Sequence, residues 1–194
     1  HEYGELPYDI HIDTEYAQAA IQGTIDNGIK AKGVDYDQFP IDTGTIIASS
    51  FLNPDNKYPL IICSNNAYHD WDTTVTLGRI STEQADKLDR KIALVGVGGL
   101  SGSFYRHTID ISEDKIVSDK EDEWNKKILG LLENGDLESL LAACPQYATE
   151  AKADMGFTHL AFILGALGEL YSGATVHAYE PLYGSGGAVV EFDI

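Results

Sequence analysis

The sequence predicts an α/β fold, a three-layer α/β/α domain with a mostly parallel central sheet. Two patterns carry that prediction. Leu60 to Cys63 and Lys91 to Val97 are short apolar runs of the kind a parallel sheet buries on both faces. Between them, Thr74 to Leu88 has helical spacing, which gives the strand–helix–strand order of a right-handed crossover. A third observation qualifies the fold. The opening "HEYGELPYDI" has no Met and no strand before Pro7, so the domain reads as truncated at its N-terminus. A sheet that has lost strands leaves an unpaired edge, and self-association is expected from it.

The remaining elements follow in order. Tyr16, Ala20, Ile21 and Ile25 fall on one helical face between Thr14 and Asp26, with Asp13 or Thr14 as cap and Gly28 as stop. Ile29 to Val34 is extended. Pro40 and Gly44 frame a turn before a short helix over Thr45 to Leu52. "SDKE" from Ser118 is a capping box in which Glu121 reaches back to the cap, and it opens a helix whose stripe is Trp124, Ile128, Leu131 and Leu132. Gly135 stops that helix. Asp136 caps another that runs through Ala142, with Pro145 marking its end. Phe157 to Leu170 is a nearly apolar, buried helix. "TVHAYEPLYGSGGAVVEF" is a strand, a glycine-rich turn and a last strand.

The 194 residues suit one domain, 1–194, and 43% hydrophobic with 23% charged residues is ordinary for a globular protein. The net charge of −18 repels phosphate, which excludes nucleic acid and anionic membranes as partners. No apolar run reaches the length of a membrane span and no signal segment is evident, so the cytoplasm is the expected compartment. Cys63 and Cys144 read as buried free thiols.

In an open α/β sheet, ligands bind beyond the carboxyl ends of the strands. Three loops lie there: Asp42 to Thr45, Ser64 to Trp71 and Gly98 to Ser103. "PIDTGTI" matches the aspartic protease signature, but that enzyme needs two such carboxylates in an all-β fold, and the long capped helices contradict it. "SNNAYHDW" offers His69 with Asp70 and Asp72, fewer convergent ligands than a metal site needs, while Asn65 and Asn66 are placed to bond a ligand or a loop. "ALVGVGGLSGSF" is a glycine-rich elbow that fits neither a Walker loop nor a Rossmann fingerprint. Ser103 stands where a nucleophile elbow has its second glycine, and Ser101 has no visible base. His107, His159 and His177 are scattered and read as structural.

Those three loops, in that order, resemble the class III (LigB-type) extradiol dioxygenases. The resemblance implies a ring-opening oxidoreductase built on non-haem Fe(II) held by two His and one Glu. The family pattern has an Asp-His-Gly turn, a Gly-Gly-x-Ser-His elbow and a Glu on the penultimate helix. Thr43, Gly102 and Thr158 stand at those three positions here. The iron histidines belong to the N-terminal part of the family domain, and this chain corresponds to the C-terminal portion. "GVDYDQFPIDTGTI", "SNNAYH", "VGVGGLSGS", "DEWNKKIL" and "GSGGAVVEF" resemble one branch most, the non-catalytic α subunits of aminophenol 1,6-dioxygenases, which assemble with a catalytic paralogue as α2β2.

The resemblance implies a non-catalytic subunit with no catalytic residue and no metal of its own. Fe(II) belongs to a partner that opens aminophenol- or catechol-type rings. It also implies a vestigial pocket of Asp42, Thr43, Asn65, Asn66, His69, Ser101 and Gly102. Two alternatives remain at this stage: an active Fe(II)-dependent dioxygenase whose iron ligands lie in the N-terminal segment, and a small-aromatic-binding protein.

Overall fold

A computed structural model describes residues 8–35, 39–64 and 70–194. In chain order the helices are α1 (Thr14–Asp26), α2 (Thr43–Leu52), α3 (Trp71–Lys87), α4 (Asp119–Glu133), α5 (Leu137–Glu150) and α6 (Thr158–Leu167), followed by strands β1 (Gly173–Leu182) and β2 (Ser185–Asp193). Each of the first five helices starts on a side-chain cap. Asp13, Asp42, Asp70, Ser118 and Asp136 each accept an N–H from the first turn, one of the donors that a helix cannot satisfy internally.

β1 and β2 form an antiparallel hairpin, with Leu182 opposite Ser185. The hairpin closes through Tyr183 and Gly184, both at positive φ (54° and 93°), as a two-residue turn that follows strand twist requires. Its inner face packs on α4, and α4 packs on α5. Ile128, Leu132, Leu140, Tyr147, Phe157 and Leu160 form the centre of this core. The Tyr147 and Phe157 rings meet edge to face at 4.9 Å, within the favourable range for aromatic pairs. A second packing unit is α3 crossing α6, with α1 laid against α3.

The structure revises several expectations. The hairpin is the sheet among the described residues, so the chain is mixed helix and strand, and the mostly parallel central sheet is not formed as a ladder. Its one trace is a parallel bridge between Ile12 and Leu60. Among the described residues, Leu60–Cys63 and Lys91–Val97 form no further strand pairing.

Pro145 lies inside α5 rather than at its end. The carbonyl it leaves without a donor belongs to Leu141, on the exposed side of the helix where water can serve it. Continuing the helix also buries Cys144 and Tyr147. Glu121 does not reach back to Ser118; its carboxylate turns to Ser103. Cys144 is buried, which pushes its thiol up to about 12, whereas Cys63 is exposed at the end of its unpaired segment.

Candidate functional site

The elbow Gly98–Ser103 is held along its whole length by other parts of the chain. Leu100 donates its N–H to the Gly186 carbonyl (3.1 Å) and accepts from Asp154 N (3.0 Å). Gly99 N donates to Asp154 Oδ2 (3.0 Å). Gly102 N donates to the Ala151 carbonyl (3.1 Å). Ser103 donates from both N (3.0 Å) and Oγ (2.5 Å) to the buried Glu121 carboxylate, and Lys152 Nζ lies 3.4 Å from that carboxylate. The loop is therefore clamped between the hairpin, the start of α4 and the segment after α5.

Ser101 sits at the head of a buried polar network. Its Oγ accepts from Asn125 Nδ2 and from Gly186 N, both at 3.0 Å. Asn125 Nδ2 also donates to the Tyr179 hydroxyl (3.1 Å), and Asn125 Oδ1 accepts from the Tyr147 hydroxyl (2.9 Å). The Tyr179 hydroxyl donates to Asp122 (2.7 Å), which Lys126 holds ionised below the usual carboxylate range. Burial raises both phenols well above the usual tyrosine value, and Asp122 adds to this at Tyr179, so neither ionises near neutrality. A serine nucleophile needs a base that accepts its proton. Ser101 meets two donors instead, and what this arrangement does is fix the elbow's shape.

The other expected positions that are described also make local contacts. Asp42 caps α2, accepting Thr45 N (2.8 Å) and Thr45 Oγ1 (2.6 Å). Its partial burial favours the acid, but these bonds outweigh it and keep the carboxyl ionised. Asp-Thr-Gly thus opens a helix rather than a protease loop. Thr43 is the first residue of α2, and Gly44 lies against Val97, which brings this turn to the run leading into the elbow. Thr158 opens α6, and its hydroxyl donates to the Met155 carbonyl (3.0 Å). Asp70 is spent as the α3 cap. Asn65, Asn66 and His69 lie outside the described residues. Among the described residues no group of three His, Cys, Asp or Glu side chains is arranged to hold a metal ion.

Gly102, the position at which the resemblance leads one to expect a histidine, has no room for a side chain. A Cβ there would run into the Lys152 carbonyl oxygen. Gly102→His is expected to lower the thermal midpoint and to create neither iron binding nor ring cleavage. A calorimetric scan with an Fe(II) titration checks both.

His159 enters the site from α6. Its ring lies flat against Gly98, where a Cβ would collide with it, and it meets Phe157 edge-on at 5.0 Å. Burial lowers its pKa, and the charge of Asp154 opposes that only in part. The sign of the pH effect follows. A histidine held neutral in the fold binds fewer protons than the unfolded chain below the ordinary value of about 6.5, so stability falls as pH drops through that value. His159→Gln is expected to flatten the stability profile between pH 7 and 5, as read by urea midpoints.

Sequence reasoning missed Asn125, Tyr147, Tyr179 and Glu121. One signal was present: Glu121 and Asn125 share a helical face with Ile128 and Leu132, so two polar residues sit on an apolar stripe, which calls for buried partners.

Residues 1–191 match the family described as the catalytic LigB subunit of aromatic ring-opening dioxygenase. The chain belongs to the LigB family. It is 47% identical to the 2-aminophenol 1,6-dioxygenase alpha subunit of a Pseudomonas species, over 100% of this chain and 72% of that protein. It is 24% identical to the beta subunit of 2-aminophenol 1,6-dioxygenase, also from Pseudomonas, over 96% of this chain and 65% of that protein. Its identity to that alpha subunit is thus about twice its identity to that beta subunit. No helix among the described residues is long and apolar enough to cross a membrane.

Proposed function

We propose that this chain is a non-catalytic, α-type subunit of an extradiol dioxygenase complex that opens aminophenol- or catechol-type rings. The observation that carries this reading is identity across this chain of 47% to an alpha subunit against 24% to a beta subunit. The elbow geometry supports it. Ring opening needs a metal that binds substrate together with O2, and a base that takes the ring proton. The loop that would carry the base ends here in a glycine packed on Lys152, and its serine receives two donors. Fe(II), in this reading, is held by a β-type partner, and this chain binds none.

The role left to the chain is to pack against that partner. Asp42, Thr43, Ser101 and Gly102, with Asn65, Asn66 and His69, are the remnant of the ancestral pocket. The extended segments around Leu60 and Val95 are read as strands of a mostly parallel sheet in one domain, 1–194, with the Ile12–Leu60 bridge in support.

Assembly tests the reading. Mixed with a β-type subunit such as the Pseudomonas one, the chain is expected to form a stable complex in which the β subunit gains thermal stability, since a binder of the native state raises its melting point. Two species that sediment independently at micromolar concentration would rule it out.

A further inference from the structure

Two helices end on an asparagine followed by glycine: α1 at Asn27 and Gly28, and α4 at Asn134 and Gly135. Both glycines stand at positive φ, 77° and 64°, the left-handed cap that favours glycine. Asparagine before glycine is chemically labile, because a residue with no side chain leaves its N–H free to reach the asparagine amide carbon. The structure holds the two pairs differently. Asn27 Nδ2 donates to the Gly23 carbonyl (2.8 Å), and Gly28 N donates to the Ile25 carbonyl (2.9 Å). Among the described residues the exposed Asn134 side chain makes no hydrogen bond, and Gly135 N reaches the Leu132 carbonyl only at 3.2 Å. Packing also fixes the glycine at 135. A Cβ there would strike the Ser172 carbonyl oxygen, whereas one on Gly28 would meet nothing.

We infer that Asn134 is a site of spontaneous deamidation, with water as co-reactant, and that its conversion loosens the junction between α4 and β1. The Gly135 nitrogen attacks the Asn134 side-chain carbonyl carbon. The new nitrogen–carbon bond closes a cyclic imide as the bond to Nδ2 breaks, and ammonia leaves carrying the Gly135 proton. Water then opens the imide at either carbonyl, which leaves aspartate or isoaspartate. No oxidant or reductant is needed. Either product sets a carboxylate at the C-terminus of α4, the negative end of the helix, between Glu133 and Asp136. Isoaspartate also lengthens the backbone by one carbon at a tightly bonded turn. Gly135 N donates there to the Leu132 carbonyl and Asp136 N to that of Leu131. The Tyr171 hydroxyl, just before β1, donates to the same Leu132 carbonyl (2.8 Å). This inference does not depend on whether the chain is catalytic.

Incubation of the chain in mildly alkaline buffer, with and without urea, tests it by peptide mapping and isoaspartate assay. In the folded chain Asn134 is expected to convert about fivefold faster than Asn27, the factor that one ordinary hydrogen bond is worth. In urea the two rates should converge, because the difference belongs to the fold. The incubated chain should melt below the fresh one, and Asn134→Asp should show the part of that shift due to charge alone. Asn134→Gln, whose longer side chain closes such a ring far more slowly, should keep its midpoint through the same incubation. No conversion of Asn134 in the folded chain, conversion at Asn27 as fast or faster, or a converted chain with an unchanged midpoint would each overturn the inference. No readout involves ring cleavage or a β-type subunit, so this site and the proposed function can fail separately.

Discussion

Asn125→Ala is expected to destabilise the chain by about 3 kcal/mol, the upper part of the range for a single buried polar deletion. Asn125 is fully buried and joins three elements: Ser101 on the elbow, Tyr147 on α5 and Tyr179 on β1. Alanine removes every one of those bonds and leaves the Tyr147 hydroxyl, itself fully buried, without its acceptor. The unpaired group is the larger cost, so deleting it should recover part of the loss. Asn125→Ala with Tyr147→Phe is expected to be less destabilised than the sum of the two single variants. Urea midpoints with unchanged slope measure each term. Additive losses would show that the network is not cooperative.

The second large effect is expected where α3 crosses α6. A Cβ on Gly78 would strike the Phe162 carbonyl oxygen, and one on Gly165 would strike the Val75 carbonyl oxygen, so each helix presses its bare backbone against the other. Alanine in an isolated helix is favoured over glycine by about 1 kcal/mol. Here the backbones must separate, and overpacking of this kind costs about 1–3 kcal/mol or more. Gly78→Ala and Gly165→Ala are therefore expected to destabilise despite their better helix propensity, by about 2 kcal/mol each. Thermal melts decide the sign, and a rise in midpoint at either position would show that the helices are not in contact.

The parts of the fold legible in the sequence were those fixed by neighbours along the chain. Asp13, Ser118 and Asp136 cap helices where local spacing places them, because a cap needs only its own first turn. The hairpin around Tyr183–Gly184 was legible for the same reason. Pro145 misled because its cost is local while the burial of Cys144 and Tyr147 that offsets it is tertiary. The runs at 60–63 and 91–97 declared their apolar character, but strand pairing is non-local, and no sequence pattern states which partner is present.

The site shows the same division. The elbow was legible as a loop, and Gly44 of the Asp42–Thr45 turn meets the run that enters it, while most of Ser64–Trp71 lies outside the described residues. What saturates the elbow was not, since Asn125, Glu121 and the Gly186 amide come from other elements that only the fold brings to Ser101 and Ser103.

In the proposed function, the elbow of a ring-opening family serves in this chain as packing. Anaerobic loading of the isolated chain with Fe(II), followed by 2-aminophenol and O2, tests it most directly. The expected result is no ring-cleavage product from the chain alone, and turnover once a β-type subunit is added. Product formed by the chain alone, in proportion to the iron it retains, would contradict the account.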